Sequence, residues 1–272
     1  HLYSTMVDTS PPKTIYYSIG GNLRTISWFD EKGRYHREGD KPAYIEYYNE
    51  PGNIVMKKEW YYHGTSHREK GPAKKHYTMK HVLVRTEWRK LGQPNTCLLL
   101  RTWYNNGMKE HVSWRTIRGD KPTTKRWDEC GRFKEKRWET PDEKGKWPTE
   151  YFNRVGGPAW QLWKNGVLIE ERWKVNNEAH RLDGPAIQQW NEQGNIIRKL
   201  WCINGKLHRE GDKPASVDYF KGKTKEWRIN GELHRDGNPA HKVWDLSGIL
   251  RISDWYHHGE KYEPVLTKKA LS

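Results

Sequence analysis

His180-Arg181-Leu182-Asp183-Gly184-Pro185-Ala186 is the stretch on which the reading of this chain turns, because it keeps returning. Close copies stand at His36-Arg37-Glu38-Gly39-Asp40-Lys41-Pro42-Ala43, His67-Arg68-Glu69-Lys70-Gly71-Pro72-Ala73, His208-Arg209-Glu210-Gly211-Asp212-Lys213-Pro214-Ala215 and His234-Arg235-Asp236-Gly237-Asn238-Pro239-Ala240. Two more keep only the second half, as Gly119-Asp120-Lys121-Pro122-Thr123 and Gly156-Gly157-Pro158-Ala159. A string this specific, met seven times, implies a repeated supersecondary unit.

Working outward, each well-kept His-Arg follows a Trp and a turn, at Trp28, Trp60, Trp173, Trp201 and Trp227. Downstream of each Pro-Ala comes a second aromatic and a second Gly, such as Trp190 with Gly194 or Trp244 with Gly248. The period is about 27 residues, visible at Trp173, Trp201, Trp227 and Trp255. The segments between, such as Ile196–Leu200 and Ile249–Ser253, are too short for helices and read as strands. Asn106-Gly107, Asn165-Gly166, Asn204-Gly205 and Asn230-Gly231 predict tight hairpins of type I′, since both residues accept positive φ. The Pro lacks an N–H donor and suits a connecting loop.

The expected fold class is all-β, a repeat protein of tandem β-hairpins forming an elongated, mostly antiparallel sheet. Residues 1–15 read as an N-terminal extension, 16–262 as one repeat domain of about seven to eight units, and 263–272 as a tail. The stretch 88–150 is irregular: Trp88 to Leu100 lacks Gly-Pro-Ala, and Thr140-Pro141-Asp142-Glu143-Lys144-Gly145 reads as an exposed loop. A specific contact would sit most naturally on such irregular loops.

Composition agrees. Only 34% of residues are hydrophobic, against about 45–50% in ordinary globular chains. Disordered chains are poor in aromatics, yet this one has 16 Trp and 15 Tyr with only 4 Phe. A thin sheet held by a single layer of amphipathic rings is the expected outcome. Such a unit cannot stand alone, so neighbours must share their rings.

Cys97, Cys130 and Cys202 are far apart and match neither a zinc site nor a disulfide framework, which fits a reducing, intracellular compartment. No apolar run approaches the length of a membrane helix, and His1-Leu2-Tyr3-Ser4 lacks a signal-peptide pattern. The missing initiator Met suggests a processed chain or the ordered part of a longer one.

The alternation of an aromatic, two or three residues and Gly, with Trp-x-x-Asn-Gly at half-unit spacing, resembles the MORN-type repeat over roughly residues 16 to 262. The His-Arg-x-Asp-Gly-Pro-Ala elaboration resembles a subset found in large DNA viruses of amoebae and in some bacteria. The resemblance implies a MORN-like or β-solenoid-like scaffold that contacts other proteins, and in the viral subset a virion component in host cytoplasm or particle. It implies no shared catalytic residues. The longer period and the His-Arg motif depart from the plain repeat, so lipid binding does not carry over.

A His beside Arg and Asp could suggest catalysis or metal binding. Here the constellation recurs at His36-Arg37, His67-Arg68, His180-Arg181, His208-Arg209 and His234-Arg235, and active sites are seldom copied so regularly. The structural reading has Arg and an acid pairing across a loop and His donating to a backbone carbonyl. No nucleophile elbow, phosphate loop or His-Glu-x-x-His is present, so neither enzyme, metal nor cofactor is expected.

The net charge of +15 implies an anionic partner. Lys121, Lys125, Arg126, Arg132, Lys134, Lys136 and Arg137 cluster, and Lys221, Lys223 and Lys225 alternate as on one face of a strand. The expected function is a non-catalytic scaffold docking on an acidic protein surface or on other virion or scaffold proteins. The alternative is a basic nucleic-acid-binding repeat protein. Self-association through exposed sheet edges is a further expectation.

Overall fold

The computed structural model describes residues 14–89, 99–114, 122–141 and 151–264. Among them there is no helix, and hence none long and apolar enough to cross a membrane. The chain is all-β, with antiparallel pairing throughout, and its contacts divide it into two compact units, one reaching residue 116 and including 123–133, the other made of 117–122 and everything from 134 onward.

In the first unit, Thr14–Tyr17, Leu23–Ser27, Tyr44–Tyr47, Val55–Glu59, Lys74–Tyr77, Leu83–Trp88, Leu99–Trp103, Lys109–Trp114 and Thr124–Trp127 pair in chain order as one ladder. In the second, the ladder runs from Phe133–Arg137 through Trp160–Lys164, Val167–Arg172, Ile187–Trp190, Ile196–Leu200 and Ser216–Asp218. It continues to Lys223–Glu226, His241–Trp244, Leu250–His257 and Glu260–Tyr262. Irregularity in 88–150 does not break the ladder where it is described, since Trp88 pairs directly with Leu99.

Just after Trp60, Trp173, Trp201 and Trp227 the chain leaves the ladder for a small hairpin, as in Tyr61–Tyr62 with Thr65–Ser66 or Arg228–Ile229 with Glu232–Leu233. The turns at Asn204-Gly205 and Asn230-Gly231 have φ of 47° and 75°, and 52° and 94°, as expected of type I′. Asn106-Gly107 differs. Only Gly107 is left-handed, and the turn closes through Tyr104 N–H to Met108 O, with Asn106 Oδ1 accepting the Met108 N–H. That turn belongs to a longer class, with Gly in the left-handed position, also seen at Asp128–Arg132, Asn191–Asn195 and Asp245–Ile249.

The core is thin. Among the described residues no large side chain is fully buried, and those with zero exposure in the core are the alanines of the repeat, Ala43, Ala73, Ala159, Ala186, Ala215 and Ala240. Each Ala carbonyl accepts the N–H of its own unit's Trp (Trp60 to Ala73, Trp227 to Ala240). In most units the Ala N–H donates to the next strand, as Ala186 does to Leu200 and Ala215 to Glu226. A methyl is all that fits where the small hairpin branches away. The motif tryptophans are buried or half-buried, with Trp28, Trp60, Trp138 and Trp227 at 6–8% exposure.

Candidate partner-binding face

The repeated His-Arg motif is a joint between successive units. Each Arg guanidinium lies on the ring of its own unit's Trp: Arg37 on Trp28 at 3.7 Å, Arg68 on Trp60 at 4.1 Å, Arg181 on Trp173 at 3.8 Å, Arg209 on Trp201 at 3.7 Å and Arg235 on Trp227 at 3.9 Å. The half-kept copy lacking His-Arg uses Arg154 on Trp138 at 4.1 Å in the same way. The same guanidinium donates to the Pro carbonyl of its loop, at 3.1 Å from Arg209 to Pro214 and 3.2 Å from Arg235 to Pro239. To reach it, Arg must fold back over the loop. That explains the Gly before Pro in the short loops, because a Cβ on Gly184 would stand 2.7 Å from Arg181 Cζ and one on Gly157 2.5 Å from Arg154 Cζ.

The histidines act in the direction opposite to the expected one. Nδ1 of His36, His180, His208 and His234 accepts the backbone N–H of His63, Asn204, Asn230 and His258 in the next small hairpin, at 3.1–3.2 Å. The ring is therefore an acceptor rather than a donor to a carbonyl, because the carbonyl nearby is already used by a turn glycine: Gly64 donates to Tyr35 O, Gly205 to Ala179 O and Gly231 to Leu207 O. Accepting at Nδ1 places the proton on Nε2, which in His36 meets Glu38 Oε1 at 2.9 Å.

The acid partner of Arg depends on loop length. In the longer Gly-Asp-Lys-Pro loops, Asp40 and Asp212 adopt positive φ and face the following unit. Arg68 donates Nε and Nη2 to Asp40 at 2.7 and 2.8 Å, and Arg235 does so to Asp212 at 2.5 and 3.0 Å. The guanidinium holds each carboxyl below the usual carboxylate range. The Asp40 and Asp212 carbonyls also accept from Trp60 and Trp227 Nε1. The short loop of Arg181 pairs it with its own Asp183 instead. Clefts of about 550 and 280 Å³ open beside these two long loops, lined by equivalent residues such as Asp40, Trp60 and Arg68, and Asp212, Trp227 and Arg235. Neither borders the irregular stretch 88–150.

Strand register separates the charges. Directly paired residues share a face, and in the first unit one row reads Ile15, Ile26, Ile45, Lys58, Lys75, Thr86, Arg101, Val112, Lys125. In the second it reads Lys136, Gln161, Glu171, Gln188, Lys199, Val217, Lys225, Lys242, Ser253. Each row thus carries four bases, and the two together hold one acid, Glu171, which accepts from Gln161. The cations rest over indoles: Lys75 on Trp60 at 5.7 Å, Arg101 on Trp88 at 4.8 Å, Lys125 on Trp114 at 5.6 Å, Lys136 on Trp163 at 4.8 Å and Lys225 on Trp244 at 5.9 Å.

The opposite face is neutralised internally. Glu46 and Glu59 pair with Lys57 and Lys74, both at 3.1 Å, Glu87 with Arg85 and Arg89, Glu135 with Arg137, Glu170 with Arg172 and Glu226 with Arg228. On the basic row the balance is different. Burial, then Arg68 and Lys58, push the Lys75 ammonium below its ordinary value, and burial, then Lys223, Arg235 and Lys242, do the same to Lys225.

No family model and no curated protein matches this chain. A solved structure described as "Crystal Structure of TcdB2-TccC3" is similar over 91% of this chain at 13% identity, with a TM-score of 0.15. The match spans 16% of that chain's length, and a likeness so slight carries no argument.

Of the basic residues singled out from sequence, Lys125, Lys136 and Lys225 lie on the rows, with Lys134 and Lys223 two residues away on the same faces. Lys221 is in the turn before its strand, so the expected trio is a pair. Arg126 and Arg137 fall on the opposite face, where Arg137 meets Glu135 at 2.6 Å, and Arg132 is held in its turn by Asp128. Lys121 lies outside the described residues, as do Cys97 and most of the loop after Thr140. Lys58, Lys75, Arg101, Lys199 and Lys242 escape a reading for basic clusters because each comes from a different strand. Only cross-strand register lines them up.

Proposed function

We propose that this protein is a non-catalytic interaction scaffold whose basic rows dock on an acidic protein surface. The observation that carries the reading is the contrast between the two faces: one has its acids paired within the sheet, while the other lines up Lys and Arg in strand rows that hold a single acid, Glu171, so that these cations repel one another. Structural ion pairs hold a lysine more firmly charged, and Lys75 and Lys225 are pushed the other way. An incoming carboxylate surface would relieve that repulsion and gain from half-dried cations set among rings. The His-Arg motif argues in the same direction, since its donors and acceptors are engaged in joining units. In the viral subset that the motif resembles, such a scaffold would bind within the particle.

Nucleic acid is the second reading, favoured by the interleaving of cations and indoles. Against base stacking, the motif indoles already carry a guanidinium within about 4 Å. The test neutralises Lys58, Lys75, Lys225 and Lys242 to Gln and measures binding of polyglutamate and of single-stranded DNA across a salt series. The expected result is that the unaltered protein binds polyglutamate more tightly and the variant loses at least about tenfold, with unchanged circular dichroism. Equal polyglutamate binding by both proteins contradicts the reading. Preference for DNA with a steep salt slope replaces it with the nucleic-acid one.

A further inference from the structure

We propose that His234, His257 and His258 form a site for a divalent first-row transition ion, with Zn2+ as the reference case. One nitrogen from each ring lies within 4.8 Å of one from each of the others. The His234 and His258 rings are 4.1 Å apart, His257 and His258 4.6 Å, and His234 and His257 5.0 Å. A tetrahedral ion with nitrogens at about 2.0–2.1 Å needs them drawn closer than this, and His257 and His258, both exposed, are free to turn inward. His234 Nδ1 accepts the His258 N–H in the metal-free joint, so ligation through Nε2 moves the ring proton to Nδ1 and the ion takes over from that hydrogen bond. Asp236 Oδ1 lies 3.6 Å from His234 Nε2 and Glu232 Oε2 3.9 Å from His258 Nδ1, which sets two carboxylates around three imidazoles and suits a dication.

The repeat shows that this trio is not needed for folding. At equivalent joints the acceptor histidine meets Ile203-Asn204 and Ile229-Asn230, with the Asn N–H on Nδ1 just as His258 has it. The joint at His36 comes halfway, with Tyr62-His63 and two stacked imidazoles 4.1 Å apart. Among the described residues three imidazoles meet only at this joint, where an ion would clip the hairpin that carries His257 and His258 to the unit before it.

The test is calorimetric titration of untagged, metal-stripped full-length protein with Zn2+, and separately with Ca2+. The expected result is one Zn2+ per chain in the micromolar range, no Ca2+ binding, and a rise in the melting temperature with Zn2+. His257→Ile with His258→Asn copies the joint at Ile203-Asn204 and should fold normally while losing affinity at least tenfold; His257→Tyr, which copies Tyr62, is the second such control and should also lose affinity. Zn2+ binding that these variants leave unchanged overturns the site. So does half an ion per chain with dimer formation, which would place the ion between molecules.

Discussion

An arginine laid flat on an indole, with its far nitrogen on a proline carbonyl, is the smallest part of this fold that recurs, and it fixes what its neighbours can be. Arg209→Ala removes the ring contact and leaves the Pro214 carbonyl without its donor, so we expect a loss of about 1–2 kcal/mol in urea unfolding. Ala186, with zero exposure, has no room to grow. Ala186→Val should cost about 1–3 kcal/mol by overpacking, measured in the same way. The basic row should respond in the opposite sense, because Lys75 and Lys225 sit against other cations. Lys75→Met and Lys225→Met should stabilise the fold by up to about 0.5 kcal/mol, discounted for their partial exposure, while weakening binding to an acidic surface. At this scale the sequence was informative about which residues recur and silent about direction. Nothing in His-Arg-x-x-Gly-Pro-Ala says that the ring accepts rather than donates, since that depends on which carbonyl the neighbouring turn has already taken.

The small hairpin and its loop are the element in which one unit meets the next. Asp40 and Asp212 are held below the ordinary carboxylate range first of all by the arginine of the following unit. Glu59 is pushed up by burial but pulled down further by Tyr61, Lys74 and Lys57, and Glu87 likewise by Arg89 and Arg85. A carboxyl depressed in the folded state stabilises it fully above the unfolded value and loses that contribution as pH falls through the folded one. Thermal stability should therefore be level from neutrality to about pH 5 and fall below about pH 4, the ordinary carboxylate values being about 3.9–4.3. A melting temperature that stays level down to pH 2 would show that these pairs contribute nothing. Asp212→Asn keeps the carbonyl that receives Trp227 Nε1 and tolerates positive φ, so it should cost under about 1 kcal/mol and lessen the acid sensitivity. Strands and tight turns were legible from Trp, Gly and Asn spacing. The turn at Asn106-Gly107 was not, because Tyr104 and Met108 close a longer loop around the same dipeptide.

For each compact unit as a whole, the stability is that of a row of joints, so it should decline toward ends where a strand has one neighbour. Thr14–Tyr17 pairs only with Leu23–Ser27 among the described residues, and it exposes Ile15, Tyr16 and Tyr17 at 46%, 61% and 55%. The basic face belongs to this scale as well. Its cations are scattered along the sequence and become a row only through pairing, so closeness in sequence marks Lys125, Lys136 and Lys225 and not the rest. Amide hydrogen exchange tests most directly the claim that the repeated His-Arg-Trp chemistry joins units rather than forming sites. Gly64, Gly205, Gly231 and Gly259 sit at hairpin tips, exposed except for the half-buried Gly231, yet donate to the preceding unit. Their N–H groups should exchange far more slowly than those of Gly194 and Gly248, whose bonds stay within their own turns. Equally fast exchange at both sets would contradict it.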